Sequence, residues 1–343
     1  MSKLVVLISF ILVLITLLVR SYRLYETFMF AEDQEDLALR VKQIVIDSQP
    51  TLISAKFSAT GLYLPPGYLY FLIPFFLLTD FHPSAAMIVV VVLSGFTALF
   101  IFLSGYYLGG LPAGFVAWAL YTFWLVIHTW DRIFWNPNLV LPASALVALA
   151  LIKNRPVLAA VASGLALQSH PQGFILTLFT LLYFRRFWPV ILFILFVSIS
   201  PLLLFEFRHG FVISHALLNS SNFIFRPYYL LFIYPFLILA LAQVFTRHRL
   251  LIIFPLLLFI TNLPRIFNQP TRPDSLANKL AATNVALGQI QSGQASPNIQ
   301  IQGSAAGWHY LVWYLSRDKG ITTPIAFHES WDQPPPGTIV IKP

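Results

Sequence analysis

Residues 84–108 read SAAMIVVVVLSGFTALFIFLSGYYL, a run of 25 residues without a charged side chain. A transmembrane α-helix needs about 20 consecutive apolar residues, so this run is long enough to cross a bilayer. It lies within a longer region, residues 57–263, that holds only 12 charged residues. The whole chain of 343 residues is 58% hydrophobic and 10% charged, against roughly 25% charged residues in soluble domains. The composition excludes a soluble globular protein and predicts a polytopic membrane protein.

Ten apolar segments follow one another along residues 1–263, and several are short or interrupted by proline, as tilted or kinked spans are. We predict an all-α membrane domain over 1–263 with about 9–11 transmembrane helices, followed by a small extracytoplasmic α/β tail over 264–343. The first segment is expected to be an uncleaved span, because no small-residue cleavage site follows it. The segments lie at 4–19, 62–79, 84–108, 111–128, 138–152, 156–169, 171–184, 187–205, 227–245 and 249–263.

Three short loops are distinctly basic, at 153–155, 185–186 and 247–249. Because basic loops stay on the cytoplasmic side, the intervening loops and the tail are predicted to lie outside. Counting forward from the N-terminus then conflicts with counting back from residue 153, unless one early segment does not cross. We expect that segment to be 62–79, which contains Pro74 and can re-enter the membrane.

The loop 20–61 carries six acidic and five basic residues. Residues 33–48 are predicted to form an amphipathic helix that lies along the membrane interface, with Asp33, Asp36 and Arg40 on its polar face. The tail is expected to contain helices near 274–291 and 307–317, and strands near 298–302 and 338–341.

Four carboxylates, those of Glu32, Asp33, Glu35 and Asp36, occupy five consecutive positions just after the first span. Repulsion between close carboxylates raises the pKa of at least one of them, which suits a general acid or base. The alternative is a plain helix start, since acidic residues favour the first turn of a helix.

Further polar groups interrupt the apolar region. Asp131 and Arg132 stand among aromatic residues and precede Asn136; Arg132 suits a phosphate ligand, or the two charges satisfy each other. His170 lies between two apolar segments, where a structural role is the alternative. Arg208 is a second candidate for a phosphate, or else a solvated loop charge.

Several classes of function are excluded by the sequence. The net charge of +8 is spread over short clusters, so no nucleic-acid partner is expected. The chain has no cysteine, and therefore no disulfide and no thiolate nucleophile. Nucleotide-binding, zinc-hydrolase and serine-hydrolase motifs are absent from the sequence.

Four motifs in order resemble those of bacterial membrane glycosyltransferases of the GT-C fold, similar to dolichyl-phosphate-mannose–protein mannosyltransferases and to the lipid A aminoarabinose transferase. They span roughly residues 1–190. The motifs are the acidic run Glu32–Asp36, the Pro-rich segment 63–70, the segment 132–138 and the segment 164–170.

The resemblance implies an inverting glycosyltransferase in the plasma membrane of a prokaryote, with its active face outside. It would transfer a sugar from a polyprenyl-phosphate carrier, held among membrane lipids, to a protein, lipid or glycan acceptor. Asp33 falls on the catalytic aspartate and is expected to be the general base, with Asp36 as the second acidic position. The other site residues expected to contact substrate are Glu32, Gln34, Asp131, Arg132, Asn136, His170 and Arg208.

The leaving phosphate needs a cation, for which we favour arginine. The alternative is a divalent metal, Mg²⁺ or Mn²⁺, held by Glu32, Asp33 and Asp36. Two other functions stay open: a lipid or sugar flippase or transporter, and an inactive homologue that serves as an assembly partner.

Overall fold

The computed structural model describes residues 2–57, 62–219, 226–328, 333 and 335–341. It divides into two compact units. The first, which we call the helical unit, comprises Met1–Tyr22, Gln49–Leu72 and Val89–Asn268. The second, the mixed unit, comprises Arg23–Ser48, Ile73–Ile88 and Gln269–Pro343. The tail predicted at 264–343 thus belongs to a unit that also contains most of the predicted first outer loop.

Helices make up most of the described chain. In chain order they are α1 Lys3–Ser21, α2 Leu24–Thr27, α3 Glu32–Val45, α4 Gly67–Leu78, α5 Ala85–Phe123, α6 Leu125–Asp131, α7 Val140–Ile152, α8 Pro156–Ser169, α9 Gly173–Tyr183, α10 Trp188–Arg208, α11 Val212–Asn219, α12 Tyr234–Arg247, α13 Ile253–Phe267, α14 Leu276–Gln291 and α15 His309–Asp318. Short 3₁₀ turns precede α7 and α12, at Asn136–Leu139 and Pro227–Ile233.

The helical character of a multi-pass membrane protein is confirmed. Among the described residues, four helices are long and apolar enough to cross a membrane: Lys3–Ser21, Ala85–Phe123, Arg185–Arg208 and Pro227–Arg247. The bent pair Leu125–Asp131 and Asn136–Ile152, which turns by 118°, makes five if it counts as one span. Four further apolar helices among these residues are shorter, namely α4, α8, α9 and α13.

The longest helix, α5, is broken at two glycines. Gly109 has φ −152° and Gly110 has φ +72°, neither of which continues an α-helix. Gly110 lies in the left-handed region that side chains with a Cβ avoid, and Pro112 follows two residues later. The break coincides with the boundary predicted between the apolar segments 84–108 and 111–128.

Small residues let the helices of the helical unit approach closely. The helix α7 packs against α8, which in turn packs against α9 and α10. The contact surfaces contain buried alanines such as Ala148, Ala159 and Ala166, as is typical of helix interfaces in membranes. Large apolar side chains on other faces remain exposed, for example Phe193 of α10 at 66%, as expected of a surface solvated by lipid.

The mixed unit is built on a parallel three-stranded sheet. Its strands are β3 Asn298–Ile301, β4 Ala326–His328 and β5 Ile339–Ile341, with β3 in the centre. The core beneath the sheet contains Leu287, Ile299, Trp308 and Val312. A separate antiparallel pair, β1 Lys56–Phe57 with β2 Leu62–Tyr63, belongs to the helical unit.

Candidate functional site

The acidic run forms the first turn of α3 in the mixed unit. Gln34 stabilises this start, because its Oε1 accepts a hydrogen bond from the backbone N–H of Ala31 at 2.9 Å. Gln34 itself is fully buried, whereas Glu32 and Asp33 are exposed. A first turn rich in carboxylates also complements the positive end of the helix dipole. The acidic run is therefore a helix start, as the alternative interpretation predicted. The side chain of Asp33 is nevertheless accessible.

Asp33 has the electrostatic setting expected of a base. Its pKa is raised above the ordinary value, first by partial removal of the carboxylate from water and then by repulsion from Glu32 and Asp36. A carboxylate with a raised pKa holds a proton more strongly. The side chain combines accessibility with this stronger affinity for protons.

The carboxylate of Asp36 is paired with the guanidinium of Arg40. Both of its carboxylate oxygens accept from Arg40 Nε, at 3.0 and 2.8 Å, across one turn of the helix. Within the described residues, no three His, Asp or Glu side chains are grouped so as to hold a metal ion. The alternative ligand set of Glu32, Asp33 and Asp36 is therefore not formed.

Glu35 points in a different direction from Asp33 and is buried. Its Oε2 accepts from the backbone N–H of Gly307 at 2.8 Å, and its Oε1 from that of Tyr310 at 2.9 Å. Burial raises the pKa of Glu35, but hydrogen bonds from His309 and these two amides outweigh it, so the net pKa is lowered. Glu35 is an ionised structural group that holds the start of α15.

In the helical unit, Asp131 does not pair with Arg132. Its partner is Arg20 at the end of α1, whose Nε lies 2.9 Å from Asp131 Oδ2, and both side chains are 0% exposed. Ser94 Oγ and the Tyr121 hydroxyl donate to the same oxygen, while Asp131 Oδ1 has no hydrogen-bond partner among the described residues. The interpretation of Asp131 and Arg132 as a mutually satisfied pair is wrong, because the ion pair is made with another helix.

His128 lies between two guanidinium groups. Arg20 Nη1 is 2.7 Å from its Nδ1, and Arg132 Nη1 is 3.1 Å from its Nε2. A neutral imidazole has one acceptor nitrogen, and arginine only donates. The neutral ring therefore accepts from one of the two arginines, and its tautomer decides which. Arg132 Nη2 donates to the backbone oxygen of Tyr22 at 3.0 Å.

An aromatic group, which we define as Trp130, Trp135, Tyr228 and Tyr229, adjoins this network along the chain. The indole rings of Trp130 and Trp135 stack at 5.5 Å, and Tyr228 meets Trp135 edge-on at 4.7 Å. His170 contacts both tyrosine rings, at 5.9 and 5.3 Å. Two candidate segments, 132–138 and 164–170, are thus brought together through Tyr228.

His170 itself is buried, and burial holds its pKa well below the ordinary value. It is therefore neutral at physiological pH. Its neighbour Gln172 donates to Tyr228 O at 3.0 Å and accepts from Phe232 N at 3.2 Å, which fixes the α8–α9 corner against the turn before α12.

Asn136 begins the 3₁₀ turn and is partly buried, and its Oδ1 has no hydrogen-bond partner among the described residues. Arg208 is exposed at the end of α10.

The helical unit also contains an apolar groove of about 620 Å³. It runs along α9 and the turn before α12, and Tyr183 is the one residue with a polar side-chain atom among the described residues that line it. The lining residues are Leu151, Ile175, Phe179, Leu182, Tyr183, Phe232, Ile233 and Phe236.

Sequence reasoning missed Arg20, His128 and Tyr228. Arg20 offered a signal, because a charge at the end of an apolar span is expensive to bury unless it is paired. His128 and Tyr228 offered none, since nothing local to either residue indicates its partners.

The chain was compared with known proteins at the level of sequence and of structure. No protein-family model, no curated protein and no solved structure matches it.

Proposed function

We propose that the chain is an inverting glycosyltransferase that uses a sugar linked to a polyprenyl phosphate, with Asp33 as the general base. The observation that carries the proposal is the setting of Asp33: an exposed carboxylate at the start of α3, with a raised pKa. The four-motif resemblance to GT-C glycosyltransferases supplies the reaction class, and the site supports it.

The reaction places one chemical demand on the base. An acceptor hydroxyl is a poor nucleophile while it keeps its proton. Asp33 takes that proton as the acceptor oxygen bonds to the anomeric carbon. The bond from that carbon to the phosphate oxygen breaks at the same time, and its electron pair leaves with the polyprenyl phosphate. A single displacement of this kind inverts the configuration of the anomeric carbon.

Arg132 is our candidate for the leaving phosphate. Charge-assisted bonds from guanidinium to phosphate are among the strong hydrogen bonds in proteins. The neighbouring Arg20 is less suited, because it is fully buried and already donates to Asp131, Thr122 and Tyr121. Asn136, His170 and Arg208 remain candidates for contacts to the donor.

The donor's prenyl chain requires an apolar surface open to lipid. The groove along α9 offers one, since its wall is almost wholly apolar and Phe179, Leu182 and Tyr183 are exposed. The turn before α12 contributes to this groove through Phe232 and Ile233, and the same turn carries Tyr228 of the aromatic group. We propose that the prenyl chain lies in this groove.

The proposed site faces the outside of a prokaryotic plasma membrane. Three contacts within the mixed unit favour one common face for the first loop, the α4–α5 turn and the tail. The Tyr310 hydroxyl donates to Phe81 O at 2.7 Å, and Arg317 pairs with Asp80, while Glu35 binds the same helix α15. A common face requires that α4 does not cross the membrane.

A transfer assay tests the function. Membranes that contain the chain are supplied with undecaprenyl phosphate carrying labelled mannose, glucose or aminoarabinose, and label transferred to protein, lipid or glycan is measured. Asp33→Asn should abolish transfer, because the amide takes no proton, and the wild-type rate should fall at acidic pH as Asp33 becomes protonated. Asp47→Asn, a second exposed acid in the same loop, is the matched control and should retain transfer.

Three outcomes separate the functions considered. Transfer at the wild-type rate by Asp33→Asn contradicts the proposed base. Passage of the lipid-linked sugar across the membrane without transfer supports a flippase. Neither activity from a stably expressed chain supports an inactive assembly partner.

A further inference from the structure

The segment that carries Asp33 is held at two points by the tail. The first lies just before it. Phe30 N donates to Asp274 O at 3.2 Å, and Leu276 N donates to Phe28 O at 2.9 Å, so residues 28–30 lie beside 274–276 much as two strands would. Lys279 strengthens this attachment, because its ammonium donates to Phe30 O at 2.8 Å and to Ala306 O at 2.7 Å while its side chain is almost fully buried.

The second attachment point comes directly after Asp33. Glu35 accepts from two amides at the start of α15, as described above, and His309 Nδ1 lies 3.6 Å from its carboxylate. A carboxylate at a helix N-terminus is stabilised by both the free N–H groups and the helix dipole. Each carboxylate oxygen of Glu35 thus accepts a backbone hydrogen bond, and its negative charge is stabilised by the N-terminus of α15.

The close fit at Gly307 leaves this contact little freedom. Its φ is +87°, and a Cβ added there would come within 2.2 Å of Phe30 O and 2.7 Å of Lys279 Nζ. The same residue therefore contacts both attachment points: its N–H binds Glu35, and its Cα side faces Phe30 and Lys279. The backbone from Phe30 to Glu35 has few ways to move while both contacts hold.

Glu32 and Asp33 are the exposed side chains between these two points. We propose that the tail acts as a clamp on residues 28–35 and that Glu35 is a positioning residue for Asp33. The proposal rests on the proposed function, since positioning has a catalytic meaning only if Asp33 is the base. It assigns the tail a role in catalysis at the sugar-transfer step instead of a role in binding an acceptor.

The physical basis is the sensitivity of proton transfer to geometry. A general base must lie within hydrogen-bond reach of the proton that it takes, and a misplacement of about 1 Å can cost roughly 100-fold in rate. Loss of the Glu35 charge should release the start of α15 and let Asp33 move. The effect should appear in kcat, because Glu35 itself does not touch the donor in this proposal.

Glu35→Gln tests the clamp, since it preserves the size of the side chain but presents an NH₂ group to one of the two amide N–H groups. With the full chain in lipid nanodiscs and the lipid-linked sugar that the wild type uses, kcat should fall roughly 10- to 100-fold, while the KM for the donor stays within about twofold. Lys279→Met should act in the same direction through the other attachment point. Glu26→Gln, an exposed acid of the same unit paired with Arg23, is the matched control.

A second measurement separates failure of the clamp from failure of the function. The chain has no cysteine, so Asp33→Cys can carry a single nitroxide spin label. Its spectrum should be that of a restricted label, and Glu35→Gln should mobilise it, whereas Glu26→Gln should not. An unchanged label together with an unchanged kcat overturns the clamp while the transferase stands. A mobilised label, together with no sugar transfer by the unlabelled wild-type chain, supports the clamp as structure and overturns its catalytic role.

Discussion

The ion pair between Arg20 and Asp131 shows how a single buried charge depends on its partner. Both side chains are fully buried, and Arg20 also donates to the backbone oxygens of Thr122 and Tyr121. The pair therefore ties the end of α1 to the ends of α5 and α6. Burying an ion pair gains little net energy, but removing one member leaves an uncompensated charge in a medium of low polarity.

We predict that Arg20→Met destabilises the protein by about 3–5 kcal/mol, because the Asp131 carboxylate loses its counter-charge. The double variant Arg20→Met with Asp131→Leu should be more stable than Arg20→Met alone. Thermal unfolding of the detergent-solubilised protein measures the four corners of this double-mutant cycle.

The comparison has an internal control in the same stretch of chain. Arg23→Met removes a half-exposed pair with Glu26 and should cost no more than about 1 kcal/mol. Equal losses for Arg20→Met and Arg23→Met, or a double variant less stable than Arg20→Met by the full cost of Asp131→Leu, would show that the buried pair is not coupled.

At the scale of elements, two glycines at the ends of α15 differ in what surrounds them. Gly307 precedes the helix with φ +87°, and a Cβ there would meet Phe30 O and Lys279 Nζ. Gly320 follows the helix with φ +64°, and nothing lies within 4 Å of the corresponding Cβ position. Both positions carry the backbone cost of a left-handed residue, but a steric clash arises at Gly307 alone.

Gly307→Ala is therefore expected to loosen the tail, and Gly320→Ala to cost only the backbone strain of about 1–2 kcal/mol. Hydrogen exchange of peptides from α14 and α15 measures the difference, because release of the clamp lowers the protection of their amides. Equal protection in the two variants would mean that the approach of Gly307 to Phe30 does not hold the tail.

Local pattern predicts the elements of this chain better than their contacts. The helix expected at 156–169 is Pro156–Ser169, because Pro156 suits the first turn and the apolar run ends before His170. The helix expected at 33–48 begins at Glu32 and ends at Val45. The two predicted tail helices and the two predicted tail strands lie within a few residues of their positions in the structure, whereas the strand β4 Ala326–His328 was not predicted.

The contacts depend on residues far apart in the sequence. Arg20 and Asp131 are 111 positions apart, and no local feature identifies one as the partner of the other. Glu35 and Asp33 belong to the same acidic run, yet a helix turns about 100° per residue, so one faces α15 and the other faces outward. The acidic run indicated where the chemistry would be, but only the tertiary structure separates its accessible acid from its anchoring acid.

At the scale of the whole molecule, the basic loops indicate on which side of the membrane the break in α5 lies. Lys153 lies with its ammonium 3.8 Å from the ring centre of Tyr107, beside the break in α5. At the same break, the side chain of Gln243 in α12 lies 2.9 Å from the position that a Cβ added to Gly109 would take. If the basic loops are cytoplasmic, the break is cytoplasmic too, and α5 contributes two crossings. If, in addition, α4 does not cross, the parity conflict in the sequence disappears, and the tail is expected to lie outside.

This arrangement makes a prediction that cysteine labelling can test, because the chain has no cysteine of its own. A membrane-impermeant maleimide added to intact cells should label Gln49→Cys, Asp80→Cys and Ser292→Cys, since all three lie on the outer face if α4 does not cross. Asn154→Cys, in a basic loop, should react only after the cells are opened. Opposite accessibility of Gln49→Cys and Asp80→Cys would make α4 a true crossing, and protection of Gln49→Cys in intact cells would place the Asp33 segment in the cytosol, where it has no access to a donor displayed outside.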